Sequence, residues 1–188
     1  EFDNVIAVDL KGVWLCMKYG IPEIEKAGGI PIRDRVGHSF IKATMRGNAG
    51  IFGGELAGHY YFRDNFYADC AIAAVIEVLN VLWHTGKPMS EVVAPLRRYA
   101  KSPETNFEVE DKEAAIAMLK QQFADGRQDE LDGLTVEYGN LGDRAWWWFN
   151  VRASNTEPVV RLNLEAANDT EMRSRRDTVL ARIAHFAR

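Results

Sequence analysis

The residues best suited to chemistry form a short polar run before a predicted strand, Arg152–Pro158. Its polar side chains include Arg152, Ser154, Asn155 and Thr156, and Arg161 follows three residues after the proline. An arginine can hold a phosphate through two parallel hydrogen bonds, and hydroxyl and carboxamide groups add directed donors. The run predicts a phosphate-binding loop. The alternative is an ordinary turn of the kind that Ser, Asn, Thr and Pro form between strands.

A second unusual run lies about a hundred residues earlier, at Gly53–His59. Glu55 stands on a glycine-rich turn, where its carboxylate could accept hydrogen bonds from neighbouring sugar hydroxyls and the glycines permit close approach. His59 could donate a hydrogen bond or act as a general acid or base near neutral pH. The alternative is a tight turn between two strands with an incidental glutamate.

Two further segments carry weaker signals. His38 follows a glycine, and the cation Lys42 comes one helical turn later. This arrangement suits contact with phosphate or sugar, and equally a helix end with solvated charges. Lys11 follows the first predicted strand, at the end where α/β sheets bind ligands.

The first half of the chain alternates between strand and helix patterns, which predicts an α/β layer. Val5–Leu10 is typical of a strand buried on both faces. Further predicted elements are a helix from Pro22 to Ala27, strands at Ile30–Ile32 and Tyr60–Phe62, and helices at Ser39–Met45 and Asp69–His84.

The second half predicts a small α+β unit with the order β-α-β-β-β-α. Its strands are predicted at Phe107–Val109, Leu134–Tyr138, Ala145–Val151 and Val159–Ala166, and its helices at Asp111–Ala124 and Thr170–Phe186. Within the aromatic run 146–149, successive rings face opposite sides of the sheet. We therefore expect core packing from them in preference to a sugar-stacking platform.

Composition excludes several classes of function. The net charge of -4 leaves no basic surface for nucleic acid. The longest apolar stretch, Cys70–Trp83, is too short to span a bilayer, and nothing at the start of the chain reads as a secretion signal. Cys16 and Cys70 fit no metal or redox spacing. These features predict a cytoplasmic protein that has no nucleic-acid or membrane partner.

Taken together, four segments resemble motifs of the α-D-phosphohexomutases, the phosphomannomutase/phosphoglucomutase family. Asp9-Leu10-Lys11 resembles the family's Asp-x-Lys segment, and Val36–Ser39 its Gly-His-Ser segment. Gly54–His59 is similar to the Gly-Glu-x-Ser-Gly-His loop, and Arg152–Pro158 to the Arg-x-Ser-Asn-Thr-x-Pro loop. The last two are specific, and the four occur in the family's order.

The resemblance implies the last two of the family's four domains. The third would be an α/β/α sandwich with a mixed sheet, N-terminally truncated, over residues 1–98. The fourth would be a TATA-box-binding-protein-like α+β domain over 105–188, after a linker at 99–104. We expect the chain to be the C-terminal part of a longer polypeptide.

The resemblance also assigns roles to single residues. Those implied to bind the sugar are Lys11, His38, Glu55, Ala57 and His59, with His59 the candidate general acid or base. Those implied to bind the phosphate are Arg152, Ser154, Asn155, Thr156 and Arg161. Ala57 replaces the family's loop serine and removes one hydroxyl near the sugar. Asn155 favours the hexose mutases over phosphoglucosamine mutases, which usually have glycine there.

By the same resemblance, the full enzyme interconverts hexose 1-phosphate and hexose 6-phosphate through a hexose 1,6-bisphosphate. It uses a phosphoserine and Mg²⁺, and neither the serine motif nor the metal loop occurs in this chain. We therefore expect this chain to be inactive alone and to have as partners a phosphorylated hexose and the N-terminal domains of a monomeric polypeptide. The alternatives are a phosphoglucosamine mutase and a non-catalytic module that binds sugar phosphates.

Overall fold

The computed structural model describes residues 25, 28–55, 58–154 and 157–186. The chain divides into two compact units, residues 1–97 and 98–188. The first unit contains α1 (His38–Gly47), β1 (Phe52–Gly54), β2 (Tyr60–Phe62), β3 (Ala68–Asp69), α2 (Ala71–Thr85) and α3 (Met89–Val93). Single 3₁₀ turns lie at Arg63–Asn65 and Ala94–Leu96. The predicted strand Val5–Leu10 and the predicted helix Pro22–Ala27, apart from Glu25, lie outside the described residues.

The described sheet of the first unit is an antiparallel meander, β1-β2-β3. Helix α1 packs on β1 at Gly53, where an added Cβ would lie 2.8 Å from the Met45 sulfur and 3.1 Å from Ile41. The absence of a side chain at Gly53 thus lets the helix approach the strand. Ile30–Ile32, predicted as a strand, is irregular in the structure, and Pro31 has no N–H to give to a ladder.

Helix α2 is the most apolar helix of the first unit, and none of its residues is buried. Cys70 caps it, its sulfur accepting a hydrogen bond from Ala73 N–H. Asp69, predicted as the start of this helix, instead belongs to β3. No helix among the described residues is both long enough and apolar enough to cross a membrane.

The second unit is one antiparallel sheet with two helices. Its elements are β4 (Ala100–Lys101), β5 (Thr105–Glu108), α4 (Lys112–Gln122), β6 (Arg127–Asp129), β7 (Leu134–Tyr138), β8 (Trp147–Ala153), β9 (Val159–Ala166) and α5 (Asp169–Ile183), followed by a 3₁₀ turn at Ala184–Phe186. The strand order is β4-β9-β8-β7-β6, and β5 also pairs with β9. Buried residues alternate along β8 and along the first half of β9, which gives the sheet a core face on which α4 and α5 pack. From Leu162 to Ala166, β9 is buried on both faces.

The fold class is confirmed in both units: each mixes helices with strands. The predicted order in the second unit is confirmed apart from two short strands, β4 and β6, that sequence patterning missed. Trp146, Trp147 and Phe149 are buried, as expected for core residues. The boundaries predicted at 98 and 104 stay a prediction. Within the predicted linker, Ala100 and Lys101 pair with Ala166 and Glu165 of β9.

Candidate functional site

In the first unit, five side chains form a connected group that we call the histidine cluster. They are His38, Glu55, His59, Tyr61 and Asp69. The first residue of α1 supplies His38, the loop between β1 and β2 supplies Glu55 and His59, and β2 and β3 supply the other two. Gly37 allows the chain to enter α1 at a φ of 138°, a conformation that favours glycine.

Tyr61 lies at the centre of the cluster and is fully buried. Its hydroxyl donates a short hydrogen bond to Glu55 Oε1 and lies 2.9 Å from His38 Nδ1. Burial raises the pKa of Tyr61, and the hydrogen bond to Glu55 raises it further. Since the phenol has one proton and gives it to Glu55, His38 Nδ1–H must be the donor to the phenol oxygen. This leaves the lone pair of His38 on Nε2.

His59 and Asp69 form a second link in the cluster. His59 Nδ1 lies 2.6 Å from Asp69 Oδ2, and Tyr60 N–H donates to Asp69 Oδ1 at 3.0 Å. Partial burial acts to raise the pKa of Asp69, but the hydrogen bonds from His59 and Tyr60 outweigh it and hold that pKa below its usual value. An ionised Asp69 only accepts hydrogen bonds, so it orients His59 with Nδ1–H toward it and the Nε2 lone pair outward.

The loop between β1 and β2 is closed by its own backbone: Glu55 N–H donates to the His59 carbonyl oxygen at 2.9 Å. Glu55 itself is only 4% exposed. A sugar hydroxyl must therefore share Glu55 with Tyr61 or displace Tyr61 from it. Ala57 and Lys11 lie outside the described residues.

In the second unit, the two predicted phosphate ligands that are arginines face each other across neighbouring strands. Arg152 of β8 pairs directly with Arg161 of β9 in the register of the sheet. Both side chains are about one-quarter exposed. Two cations opposite each other on one sheet face repel. This arginine pair consequently needs anions beside it.

Two glutamates supply those anions. Glu104 Oε1 lies 3.5 Å from Arg161 and its Oε2 lies 4.0 Å from Arg152. Asn163 donates to Glu104 Oε2 at 3.1 Å, and Glu157 Oε2 lies 3.0 Å from Arg161. The contacts of Glu104 with the arginines are longer than an ordinary charged hydrogen bond. A doubly charged phosphate could thus replace the carboxylate.

Lys112 secures the loop that joins β8 to β9. Its amine donates to the carbonyl oxygen of Ser154 at 2.7 Å and to that of Glu157 at 3.2 Å. Ser154 is buried, and its N–H donates to the Val159 carbonyl oxygen. Asn155 and Thr156 lie between these points and outside the described residues. Lys112 therefore fixes the ends of the predicted phosphate loop.

The structure brings His38, Glu55 and His59 together in the first unit, and Arg152, Ser154 and Arg161 together in the second. Sequence reasoning missed four contributors: Tyr61, Asp69, Glu104 and Lys112. Tyr61 carried a usable signal, since it is the middle residue of the strand predicted at Tyr60–Phe62, directly after the glycine-rich loop. The other three have hydrogen-bond partners that lie 9 to 59 residues away in the sequence.

Comparisons with known proteins match this arrangement to one class of sugar-phosphate enzymes. The family model for phosphoglucomutase/phosphomannomutase alpha/beta/alpha domain III matches residues 18–99, and the model for the C-terminal domain of the same family matches residues 104–182. The chain belongs to the phosphoglucomutase/phosphomannomutase family and corresponds to its last two domains.

Individual relatives agree with this assignment. A phosphomannomutase of Methanocaldococcus jannaschii is 38% identical over 165 residues, which is 87% of this chain and 35% of that protein. The phosphohexose mutases of Xanthomonas campestris are 36% identical over 79% of this chain and 33% of their own length. The crystal structure of a phosphoglucomutase/phosphomannomutase family protein from Burkholderia thailandensis superposes with a TM-score of 0.69 at 29% identity, over 88% of this chain and 35% of that one. The chain thus spans about a third of the length of these relatives.

Proposed function

We propose that this chain supplies the sugar-binding and phosphate-binding parts of a phosphohexomutase that interconverts hexose 1-phosphate and hexose 6-phosphate. Its relatives are named phosphomannomutases and phosphohexose mutases. The chain contains no phosphoserine motif of the family, so by itself it binds substrate and does not turn it over.

The observation that carries the proposal is the arginine pair beside the loop 154–157. Arg152 and Arg161 offer two guanidinium groups on one sheet face, which suits the oxygens of a phosphate. Ser154, Asn155 and Thr156 are proposed to complete the phosphate site from the loop. The non-reacting phosphate of either isomer would occupy it.

The histidine cluster is proposed to bind the sugar. Glu55 accepts hydrogen bonds from hydroxyls, and His38 and His59 present ring nitrogens at the same place; Lys11 and Ala57 are proposed to join them. Because Asp69 orients His59, the outward Nε2 can take a proton from a sugar hydroxyl or return one. His59 is thus the proposed general acid or base, and Asp69 positions it.

Magnesium and a hexose 1,6-bisphosphate belong to the proposal for the whole enzyme. Mg²⁺ prefers oxygen ligands in an octahedral arrangement. Within the described part of the chain, the one group of three side chains placed to hold a metal contains two imidazoles. That donor set does not fit Mg²⁺, and no step of the mechanism proposed for this chain passes through it.

We propose a monomeric cytoplasmic enzyme whose N-terminal domains carry the phosphoserine. We also propose the domain boundaries at 98 and 104 and the linker between them.

The test is a titration of the isotopically labelled chain with glucose 1-phosphate and mannose 1-phosphate, following backbone amide shifts. We expect saturable shifts at Arg152, Ser154 and Arg161 and further shifts at Glu55 and His59. Inorganic phosphate should reproduce the first group and not the second. If neither group shifts at millimolar ligand, this chain holds no site of its own and the proposal fails.

A matched pair of variants identifies the phosphate site. Arg152→Met should abolish the loop shifts. Arg127→Met removes an arginine that pairs with Glu137 on an exposed part of the same sheet and should leave them intact. Equal loss in both variants would indicate a nonspecific charge effect and would contradict the assigned site.

A further inference from the structure

Three potential metal ligands converge in the first unit: His38, His59 and Asp69. One ligand atom from each lies within 4.8 Å of the other two. The two imidazole rings are 4.3 Å apart between centroids, in an edge-to-face arrangement. The three ligand residues come from separate parts of the fold: His38 from the start of α1, His59 from the loop before β2, and Asp69 from β3.

The hydrogen bonds around His38 leave a ligand atom available. Its Nδ1–H is directed at the Tyr61 oxygen, because the Tyr61 proton goes to Glu55. Metal-bound histidines commonly donate their second ring N–H to a neighbouring acceptor, which fixes the ring and its tautomer. Tyr61, fully buried and held by Glu55, provides such a partner.

His59 and Asp69 are already paired at 2.6 Å and share one proton. A metal ion can take the place of that proton: Nδ1 and the carboxylate oxygen then bind the ion, and the proton moves to Nε2 of the same ring. No proton is gained or lost by the protein. The exchange also keeps Asp69 ionised, as its two hydrogen bonds do now.

We propose that His38, His59 and Asp69 form a binding site for a divalent transition metal ion such as Zn²⁺ or Co²⁺. Imidazole and carboxylate ligands select such ions, whereas Mg²⁺ and Ca²⁺ take oxygen ligands. Two histidines with one carboxylate are a recurrent ligand set for zinc, with a further position open to water.

The adjustment needed is small. Ligand atoms on a tetrahedral ion, at bonds of about 2.1 Å, are about 3.4 Å apart. The three ligand atoms lie within 4.8 Å of one another, so the widest separation closes by no more than about 1.4 Å, and the 2.6 Å between His59 and Asp69 widens by about 0.8 Å. Side chains of His59 and Asp69 are 38% and 29% exposed. Rotation of these exposed side chains can supply the movement without repacking the buried Tyr61.

A bound ion would also change what the sugar site can do. It would hold His38 and His59 and remove the Nε2 lone pair of His59, so a sugar could no longer use it as a base. This consequence rests on the proposed function, whereas the binding of the ion does not. Metal titration in the absence of any sugar phosphate therefore tests the ion site separately.

The experiment is a Co²⁺ titration of this chain, purified without a polyhistidine tag, followed by visible absorption. We expect one saturable equivalent with no thiolate charge-transfer band. The apparent Kd for Co²⁺ should rise at least tenfold in each of three variants, His38→Asn, His59→Asn and Asp69→Asn. His84→Asn and His185→Asn, which alter the chain's other two histidines, should leave it unchanged.

Two further measurements keep the test decisive. Cys70→Ser should retain binding; loss of binding in that variant would assign the ion to the cysteine beside Asp69 and overturn the proposal. In the unaltered chain, Zn²⁺ should shift the ring ¹⁵N resonances of His38 and His59 and move the His59 proton to Nε2. No saturable binding at millimolar Co²⁺, or unchanged ring resonances with Zn²⁺, would refute the site even if a variant fails to fold.

Discussion

The histidine cluster and the arginine pair are built in opposite ways. In the cluster, side chains bind each other through directed hydrogen bonds: Tyr61 to Glu55, His38 to Tyr61, and His59 to Asp69. The arginine pair is set by strand register, and its neighbours are carboxylates at 3.0 to 4.0 Å.

The difference matches what each region is proposed to bind. Hydroxyls of a sugar differ in direction, so a site that reads them needs fixed tautomers and fixed acceptors. A phosphate presents similar oxygens all round, so charge and two planar guanidinium groups suffice. A clamp of this kind can grip the phosphate of either isomer, whereas the cluster must read each orientation of the sugar separately.

The largest expected effect comes from breaking the strand register at the arginine pair. Gly133 has a φ of 72°, and an added Cβ would clash with the Val151 carbonyl oxygen and lie 2.8 Å from Arg152 Cα. Gly133→Ala should lower the free energy of unfolding by about 2–3 kcal/mol. It should also abolish phosphate-induced shifts at Arg152. Urea unfolding and the phosphate titration measure the two effects.

Gly142→Ala is the control for that substitution. Gly142 also has a positive φ, 105°, but nothing lies within 4 Å of an added Cβ. Only the backbone strain should remain, with normal phosphate binding. Equal losses in both variants would show that strain alone, and not contact with β8, explains the effect.

The second-largest effect is expected from loss of Lys112, the lysine that secures the phosphate loop. Lys112→Met removes both donors to the Ser154 and Glu157 carbonyl oxygens. We expect phosphate affinity to fall about tenfold, in line with the loss of charged hydrogen bonds. Amide-shift titration with inorganic phosphate measures it. Lys120→Met, on the same helix and paired with Glu130, should bind as the unaltered chain does; affinity unchanged in both variants would contradict the role of Lys112.

Removing the charge of Glu104 should have the opposite effect and raise the affinity for phosphate. In Glu104→Gln the arginine pair loses a competing negative charge while Gln keeps an oxygen for Asn163. Phosphate affinity should rise severalfold, and the rise should shrink at high salt. Calorimetric titration at two salt concentrations measures this, with Glu130→Gln as the control. A weakened affinity would mean that Glu104 holds the arginines in place and does not compete with phosphate.

The smallest expected effect is on the pH dependence of the free energy of unfolding, and it involves two tyrosines, one in each unit. Tyr61 donates to Glu55, and Tyr138 donates to Asp125 at 2.7 Å. Burial first, then these hydrogen bonds, raise both pKa values. A raised pKa stabilises the fold fully below the unfolded value of about 10, and the contribution is lost as pH rises above it.

Tyr61→Phe and Tyr138→Phe should therefore each make the loss of unfolding free energy above about pH 10 shallower. Urea unfolding at several alkaline pH values measures the slope. If the slope of unfolding free energy against pH is the same in both variants as in the unaltered chain, folding does not raise the pKa of either tyrosine.

Much of this arrangement follows from local pattern. Alternation along Val159–Ala166 predicted a strand with Arg161 between buried neighbours, and the structure has it so. The run Arg152–Pro158 was predicted as one loop, but Arg152 lies on β8 and the loop begins at Ser154. Trp147 and Phe149 were expected in the core and are there. Period-two patterns carry this information where a strand has one buried face, as β8 does.

The features that the sequence did not predict depend on contacts between distant segments of the chain. Asp69 was taken as part of a helix start, whereas pairing with β2 draws it into β3 beside His59. Glu104 lay in a predicted linker, and only the pairing of β4 and β5 with β9 brings it to the arginines. Nothing in the local sequence around Lys112 indicates a partner 42 residues away.

These separations also imply different folding histories for the two regions. The contacts of the histidine cluster close loops of 6, 10 and 23 residues, which form early and at low entropic cost. Arg152 and Arg161 themselves lie close in sequence, on one hairpin, whereas Glu104 meets Arg161 across 57 residues and Asn163 across 59, so the glutamate reaches the arginine pair only once β4 and β5 have paired with β9. By the same reasoning, amide hydrogens around His59 should exchange through brief local openings, while those beside Arg161 should wait for cooperative unfolding of the sheet.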